Sequence, residues 1–272
     1  MKFVNMYQSF FDASVFTRRT VSKQYYQLIS RYLDRSGFSF MNYGYAGLGA
    51  QAQTVLLSAS DEPHRLPVQL YHHLASSVAL EGKDVLEVSC GRGGGTSFVK
   101  RYHRPRTLVG IDRTPQAIAY CRRMHHRLPG LSFIQCDAEQ IMFGEACFDA
   151  VINVEASHLY GDVAAFLAEV KRVLRPGGHL LLADKRTQAQ VPLFRQQVAG
   201  SGLRIVDEHD ISANVLHSIQ LQRSDREQTM RAMLPRPLAW LALSVFGAGG
   251  SHLAEGLESG EMVYFSLKLR KD

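Results

Sequence analysis

The stretch that most constrains the fold is a short aliphatic run that carries one acid and ends in a glycine-rich turn: Asp84 to Val88, then Ser89, Cys90, Gly91, Arg92, Gly93, Gly94 and Gly95. The run has the β-branched and aliphatic content of a parallel strand covered on both faces. The small residues let the backbone bend sharply against a ligand, and the periodicity after Gly95 predicts a helix whose N-terminus faces that ligand. A P-loop is excluded because its lysine is missing, and a dinucleotide fingerprint counted from Gly91 requires glycine where this chain has Thr96. Glu87, just before the turn, instead suits a positively charged group or its bound water.

A chain of 272 residues can form one α/β domain with an elaborate cap. Its net charge of +6 is scattered over short pairs such as Arg18-Arg19, Arg122-Arg123 and Lys171-Arg172, the pattern of solvated helix faces, so no nucleic-acid partner is expected. The cysteines at 90, 121, 136 and 147 show no metal spacing, which predicts a metal-free protein in a reduced, cytoplasmic setting. No secretory leader is expected at the N-terminus. The most apolar tract, Leu238 to Gly250, is too short to span a bilayer yet able to touch lipid or an apolar ligand.

Taken in order, residues Met1 to Leu33 carry an aromatic stripe at helical intervals that fits one or two amphipathic helices, either as ordinary packing or as a lid. Tyr43 and Tyr45, in FMNYGYAG, either contact ligand or staple their loop to the core. Ser60-Asp61-Glu62-Pro63 reads as a helix start with an oxygen-bearing cap, and Leu66 to Ala79 as the helix. His64, Arg65, His72 and His73 have the wrong spacing for a zinc helix. Strands follow at Thr107 to Ile111 and Leu131 to Gln135. Asp112 ends the first of these, where a carboxylate can accept both hydroxyls of a ribose. Asp137 ends the second, placed either to accept from the exocyclic amine of adenine or to cap the next turn. The strand Phe148 to Val154 delivers Asn153, Val154, Glu155, Ser157 and His158 to the edge where ligands of open α/β sheets bind. His158 is the candidate general base, since imidazole titrates in the useful range. Glu155 either orients His158, contacts the ligand or caps a helix. The amphipathic helix Asp162 to Leu174, the break Arg175-Pro176-Gly177-Gly178, and strands at His179 to Ala183, Leu203 to Asp210 and Met262 to Leu269 complete the pattern.

The E-x-S-C-G-x-G arrangement, the D-A-E sequence at 137–139 and the helix-RPGG-strand unit resemble class I S-adenosylmethionine methyltransferases over Leu56 to Asp210 and the final strand, with Ser89 where that family usually has glycine. Together SDEPHRLPVQLYHHL, VLEVSCGRGGG, NVEASHLY and EVKRVLRPGG are similar to the phthiotriolone and glycopeptidolipid O-methyltransferases. The resemblance implies a Rossmann-like α/β fold: a seven-stranded sheet with helices on both faces. It divides the chain into an N-terminal helical lid (1–55), a cofactor-binding core (56–210), a helical cap insertion (211–260) and the last core strand (261–272). S-adenosylmethionine is the implied cofactor, held by Tyr43, Glu87, Ser89, Cys90, Gly91, Gly93, Asp112, Arg113, Asp137, Ala138, Asn153 and Val154, with His158 and Glu155 catalytic. The implied acceptor is a hydroxyl on an apolar small molecule, lipid-like, polyketide or glycosylated, in secondary metabolism. The alternatives are methylation of a prenyl or polyketide carbon, an RNA methyltransferase, which the missing proline-rich catalytic motif disfavours, and an NAD oxidoreductase, which leaves Glu87, Thr96 and RPGG without a role.

Overall fold

The computed structural model describes residues 39–49, 55–244 and 251–272. The aromatic stripe of residues 1–33 lies outside them. After a 3-10 turn, Glu62–His64, and with another at Ser157–Leu159 between β4 and α4, the elements in chain order are α1 (Arg65–Ala75), β1 (Asp84–Val88), α2 (Gly94–Tyr102), β2 (Thr107–Asp112), α3 (Pro115–His125), β3 (Leu131–Gln135), β4 (Phe148–Val154), α4 (Val163–Val173), β5 (Leu174–Thr187), α5 (Val191–Gly200), β6 (Arg204–Asp210), α6 (Ser212–Met233), α7 (Arg236–Ser244), α8 (Ser251–Ser259) and β7 (Met262–Arg270).

The strands form one seven-stranded sheet in the order β3-β2-β1-β4-β5-β7-β6. The first five are parallel, and β7 runs antiparallel between β5 and β6. Alternate residues of the buried strands feed two cores. Val85, Ala150, Ile152, Leu181 and Tyr264 pack under α1, α2, α6 and α8. Leu86, Val88, Val151, Leu182 and Phe265 pack under α4 and α5. Both faces are therefore covered, as parallel strands require, and the strand order reverses between β1 and β4, which is where such sheets bind ligands. β6 is an edge; every residue of Arg204–Asp210 except Asp207 is exposed, and Arg195 pairs with Glu208 there at 2.7 Å.

Two local expectations are corrected. Asp61 does not cap the first helix; its carboxylate takes Tyr102 Oη at 2.7 Å and Arg101 through both nitrogens, Nη1 at 2.5 Å and Nη2 at 2.9 Å, so it pins the start of α1 to the end of α2. That pair holds its carboxyl well below the usual range, against the opposing effect of burial. RPGG is not a gap between helix and strand either. β5 begins at Leu174, paired with Phe148, and the register then shifts so that His179 meets Ala150. The residues between bulge out of the ladder with Gly177 at φ +78°, while Arg175 pairs with Asp84 at 3.0 Å and Asp149 at 2.8 Å beneath β1 and β4.

Residues 39–49 cross the opposite edge of the sheet. Tyr45 N donates to Leu66 O of α1 at 3.0 Å, Asn214 Nδ2 of α6 donates to Ala46 O at 2.9 Å, and Ser218 Oγ donates to Tyr43 O at 2.8 Å. Among the described residues no helix is long and apolar enough to cross a membrane.

The α1–α2 contact depends on Gly95, where an added Cβ would lie 1.8 Å from the Tyr71 ring. Gly95→Ala should cost about 1–3 kcal/mol in urea unfolding, and pairing it with Tyr71→Leu should recover part of that loss.

Candidate active site

β1 carries Glu87 to the sheet edge, 1 % exposed. Tyr71 Oη donates to its Oε1 at 2.8 Å, whereas its Oε2 is buried with no hydrogen-bond partner. Burial pushes the carboxyl up to about 7. A buried carboxylate with an open oxygen is a site that an ammonium group completes.

The turn that follows keeps its shape without a glycine at 89. Ser89 sits at φ +61° in the left-handed region and its Oγ lies 2.6 Å from Tyr160 Oη. Gly91, at φ +54°, donates its amide to Asp112 Oδ2 at 3.0 Å. Gly93 starts α2 at φ +75°, and a Cβ there would lie 3.0 Å from both Cys121 Sγ and the Phe133 ring, a tight fit. Cys90 is buried in the cluster formed with Ile118, Cys121 and Phe133. The Arg92 guanidinium stacks 3.5 Å above the Tyr120 ring.

Asp112 accepts from Gly91 N and, through Oδ1, from Thr114 N at 2.8 Å; burial raises its pKa. It therefore braces the turn it faces. Arg113 follows it, partly buried. Asp137 accepts from Glu139 N at 3.1 Å, the turn-capping bond, with Ala138 buried beside it. Glu139 Oε1 in turn accepts from Gly161 N at 2.8 Å, tying this loop to the one after β4.

At the end of β4, Asn153 Nδ2 donates to Val88 O at 3.0 Å and Tyr160 Oη at 2.8 Å, leaving its Oδ1 buried without a partner. Val154 is buried. Glu155, at φ +50°, accepts Tyr43 N and Tyr264 Oη on one oxygen, each at 2.8 Å, and burial raises its pKa. His158 sits in the 3-10 turn Ser157–Leu159 with its Nδ1 2.6 Å from Asp184 Oδ1. Asp184 is fully buried, yet its pairing with His158 and Arg186 holds its carboxyl well below the usual range; it also accepts from Ser157 Oγ at 2.5 Å and His158 N at 2.9 Å. Burial outweighs Asp184 at the imidazole and lowers the His158 pKa. An ionised Asp184 beside a neutral imidazole selects the Nδ1–H tautomer, which leaves Nε2 as a proton acceptor.

The structure thus gathers Tyr43, Glu87, Ser89, Gly91, Asp112, Asn153, Glu155 and His158 along one edge, while Cys90 packs beneath the turn. The carboxylate that orients His158 is Asp184, not Glu155. Asp184, Tyr160 and Tyr264 were missed. Ala183-Asp184-Lys185, where β5 runs past the end of its parallel pairing with β4, carried the available signal, since an acid at that point stands at the ligand edge.

A family model described as a methyltransferase domain matches residues 86–182. The chain is 39% identical over 254 residues to a phthiotriol/phenolphthiotriol dimycocerosates methyltransferase of Mycobacterium leprae, covering 93% of each. It is also 39% identical over 219 residues to a fatty-acid O-methyltransferase of Mycolicibacterium smegmatis, covering 79% of each. Among solved structures, geranyl diphosphate C-methyltransferase from Streptomyces coelicolor superimposes with a TM-score of 0.68 at 16% identity, covering 94% of this chain and 98% of that one, a likeness of fold alone.

The raised Glu87 pKa makes stability pH-dependent. The folded protein holds a proton that the unfolded chain releases above its ordinary value of 4.5, so this stabilisation is full below that pH and lost as pH rises through about 7. Between pH 5 and 8 the ligand-free protein should lose on the order of 2 kcal/mol from this group. Glu87→Gln should flatten that slope in chemical unfolding.

Proposed function

The chain belongs to the class I S-adenosylmethionine-dependent methyltransferases, and on that premise we propose that it methylates a hydroxyl of an apolar, lipid-like small molecule, with His158 as the base. The observation that carries this reading is the His158–Asp184 pair in the loop after β4, 2.6 Å apart. The names of the relatives, which refer to phthiotriol dimycocerosates and to fatty acids, support a lipid-like acceptor made or modified in secondary metabolism.

The cofactor supplies an electrophilic methyl on a sulfonium and leaves as S-adenosylhomocysteine. The residues present fit it. Glu87, with its buried unpartnered oxygen, would take the ammonium of the methionine part, and the backbone from Ser89 to Gly93, which holds left-handed angles at Ser89, Gly91 and Gly93, would lie against that part. Asp112 and Arg113 would flank the ribose, Asp137 and Ala138 the adenine, and Asn153, Val154 and Tyr43 the region of the methyl group.

A hydroxyl oxygen becomes a competent nucleophile as its proton leaves. His158 Nε2 takes that proton, and Asp184 holds the ring in the accepting tautomer and stabilises the imidazolium that forms. Alignment of donor and acceptor supplies much of the remaining acceleration. Glu155, held between Tyr43 and Tyr264, positions the loop that covers the donor.

Incubation with methyl-labelled S-adenosylmethionine and an organic extract of the source cells should place label in the organic phase as methyl ether; label in nucleic acid or protein would overturn the acceptor class. His158→Ala should lower kcat by about 10²–10⁴-fold with cooperative unfolding retained. In the wild type, kcat/KM should rise with pH as His158 deprotonates, with a midpoint below the ordinary histidine value of 6.5 because burial lowers it.

A further inference from the structure

A carboxylate beside an imidazole favours the imidazolium, and an imidazolium accepts no further proton. A histidine that works as a base against an ionised Asp184 therefore needs that charge balanced by another group. β5 supplies one. The strand outruns its parallel pairing with β4, which ends at Ala183, and continues against β7 through Asp184, Lys185 and Arg186. Side chains two positions apart on a strand share a face, so Asp184 and Arg186 stand together.

Arg186 Nη1 lies 3.1 Å from Asp184 Oδ2, and its Nη2 donates to Ser157 Oγ at 2.7 Å, which donates in turn to the same Oδ2 at 2.5 Å. Nη1 also donates to Lys185 O at 2.7 Å, and the guanidinium carbon lies 4.4 Å from the Phe194 ring centre and 6.0 Å from that of Phe265. His158 Nδ1 meets the other carboxylate oxygen, Oδ1, at 2.6 Å. Two groups thus compete for one negative charge, with Arg186 4 % and Asp184 0 % exposed, so water screens neither. A guanidinium keeps its charge at any working pH, whereas an imidazole can release its proton. Asp184 and Arg186 sum to zero, which leaves His158 to hydrogen-bond to the carboxylate rather than neutralise it.

The other groups around the pair act in the same direction or not at all. Burial lowers the His158 pKa most, and the charges of Lys185 and Arg186 add to it; Lys185 also stands toward Glu155. The phenols of Tyr160, in the same loop, and Tyr264, on β7, feel Asp184 as well, but burial pushes both upward and they stay neutral.

We propose that Arg186 is a positioning residue for the methyl transfer: it carries the counter-charge of Asp184, so that His158 meets the acceptor hydroxyl unprotonated and presents Nε2 to it. The inference rests on the reading of His158 as the base. Without Arg186, a proton on His158 becomes the counter-ion of Asp184, and the ring arrives at the acceptor already protonated.

The experiment titrates ring-15N-labelled histidine by NMR in the wild type, Arg186→Gln, Arg186→Met and Arg186→Lys, with His158→Ala assigning the resonance. Alongside it, kcat/KM for methyl ether formation from S-adenosylmethionine and hexadecan-1-ol is followed across the same pH range. The expected wild-type His158 titrates below its ordinary 6.5 as the Nδ1–H tautomer. Arg186→Gln and Arg186→Met should raise that midpoint by about one pH unit or more, costing about 10-fold in kcat/KM at the acidic end of the range and nothing at the alkaline end. Arg186→Lys, which keeps the charge, should restore most of the shift. A buried ion pair that only holds the fold together would leave the His158 midpoint in place, and an unmoved midpoint in the Gln and Met variants overturns the inference while leaving the base reading intact. Undiminished turnover in His158→Ala overturns the base reading itself. Thermal unfolding identifies any variant that fails to fold; the remaining one then decides, and if neither folds, a wild-type His158 that titrates above 6.5 or carries its proton on Nε2 overturns the inference.

Discussion

The bond from Asn153 to the Val88 carbonyl holds β1 and β4 together at the point where they stop pairing as strands. Parallel neighbours diverge at the switch point, and that divergence creates the ligand crevice. Without a tie, the turn after β1 and the loop after β4 would be two independent loops. Asn153 also reaches Tyr160, and Tyr160 reaches Ser89, so one buried amide and one phenol join the turn, the strand end and the post-strand loop into a single frame. The groups proposed to hold the donor and those proposed to activate the acceptor are thereby set at a fixed separation.

Charge along this edge follows from burial. Glu87 and Glu155 are carboxyls whose desolvation exceeds their compensation, and both are pushed toward the neutral form. Asp184 is equally enclosed but surrounded by donors and by Arg186, and it stays ionised. Identical chemical groups are thus pushed in opposite directions across one sheet edge, which separates a site waiting for a cation from a site that orients an imidazole.

The strands and the glycine turn were legible because their signals are local: aliphatic runs, glycines and acids at strand ends. The seven-strand count matches the family resemblance, whereas the strand order and the antiparallel direction of β7 come from the structure and were not read from the sequence. What could not be read depends on distance in sequence. Asp184 meets His158 across 26 positions, and Tyr264 meets Glu155 across 109, so no spacing rule connects them. Asp61 has the composition of a cap, but Arg101 and Tyr102, far along the chain, outcompete the local backbone amides for its oxygens. The RPGG segment has the composition of a break, yet pairing of Leu174 with Phe148 draws it into the ladder as a bulge.

Ser89 and Glu155 both hold left-handed backbone angles that glycine adopts freely and other L-residues adopt at a cost of about 1–2 kcal/mol. They stand on the two sides of the crevice, and the side chain of each is bound to a group from elsewhere in the frame. Selection for thermal robustness alone would draw both positions toward glycine, relaxing the backbone and deleting the hydroxyl and the carboxylate together. On the roles proposed for Ser89 and Glu155, directed evolution of this enzyme would face opposed gradients at these two positions, one toward a relaxed backbone and the other toward a retained side chain.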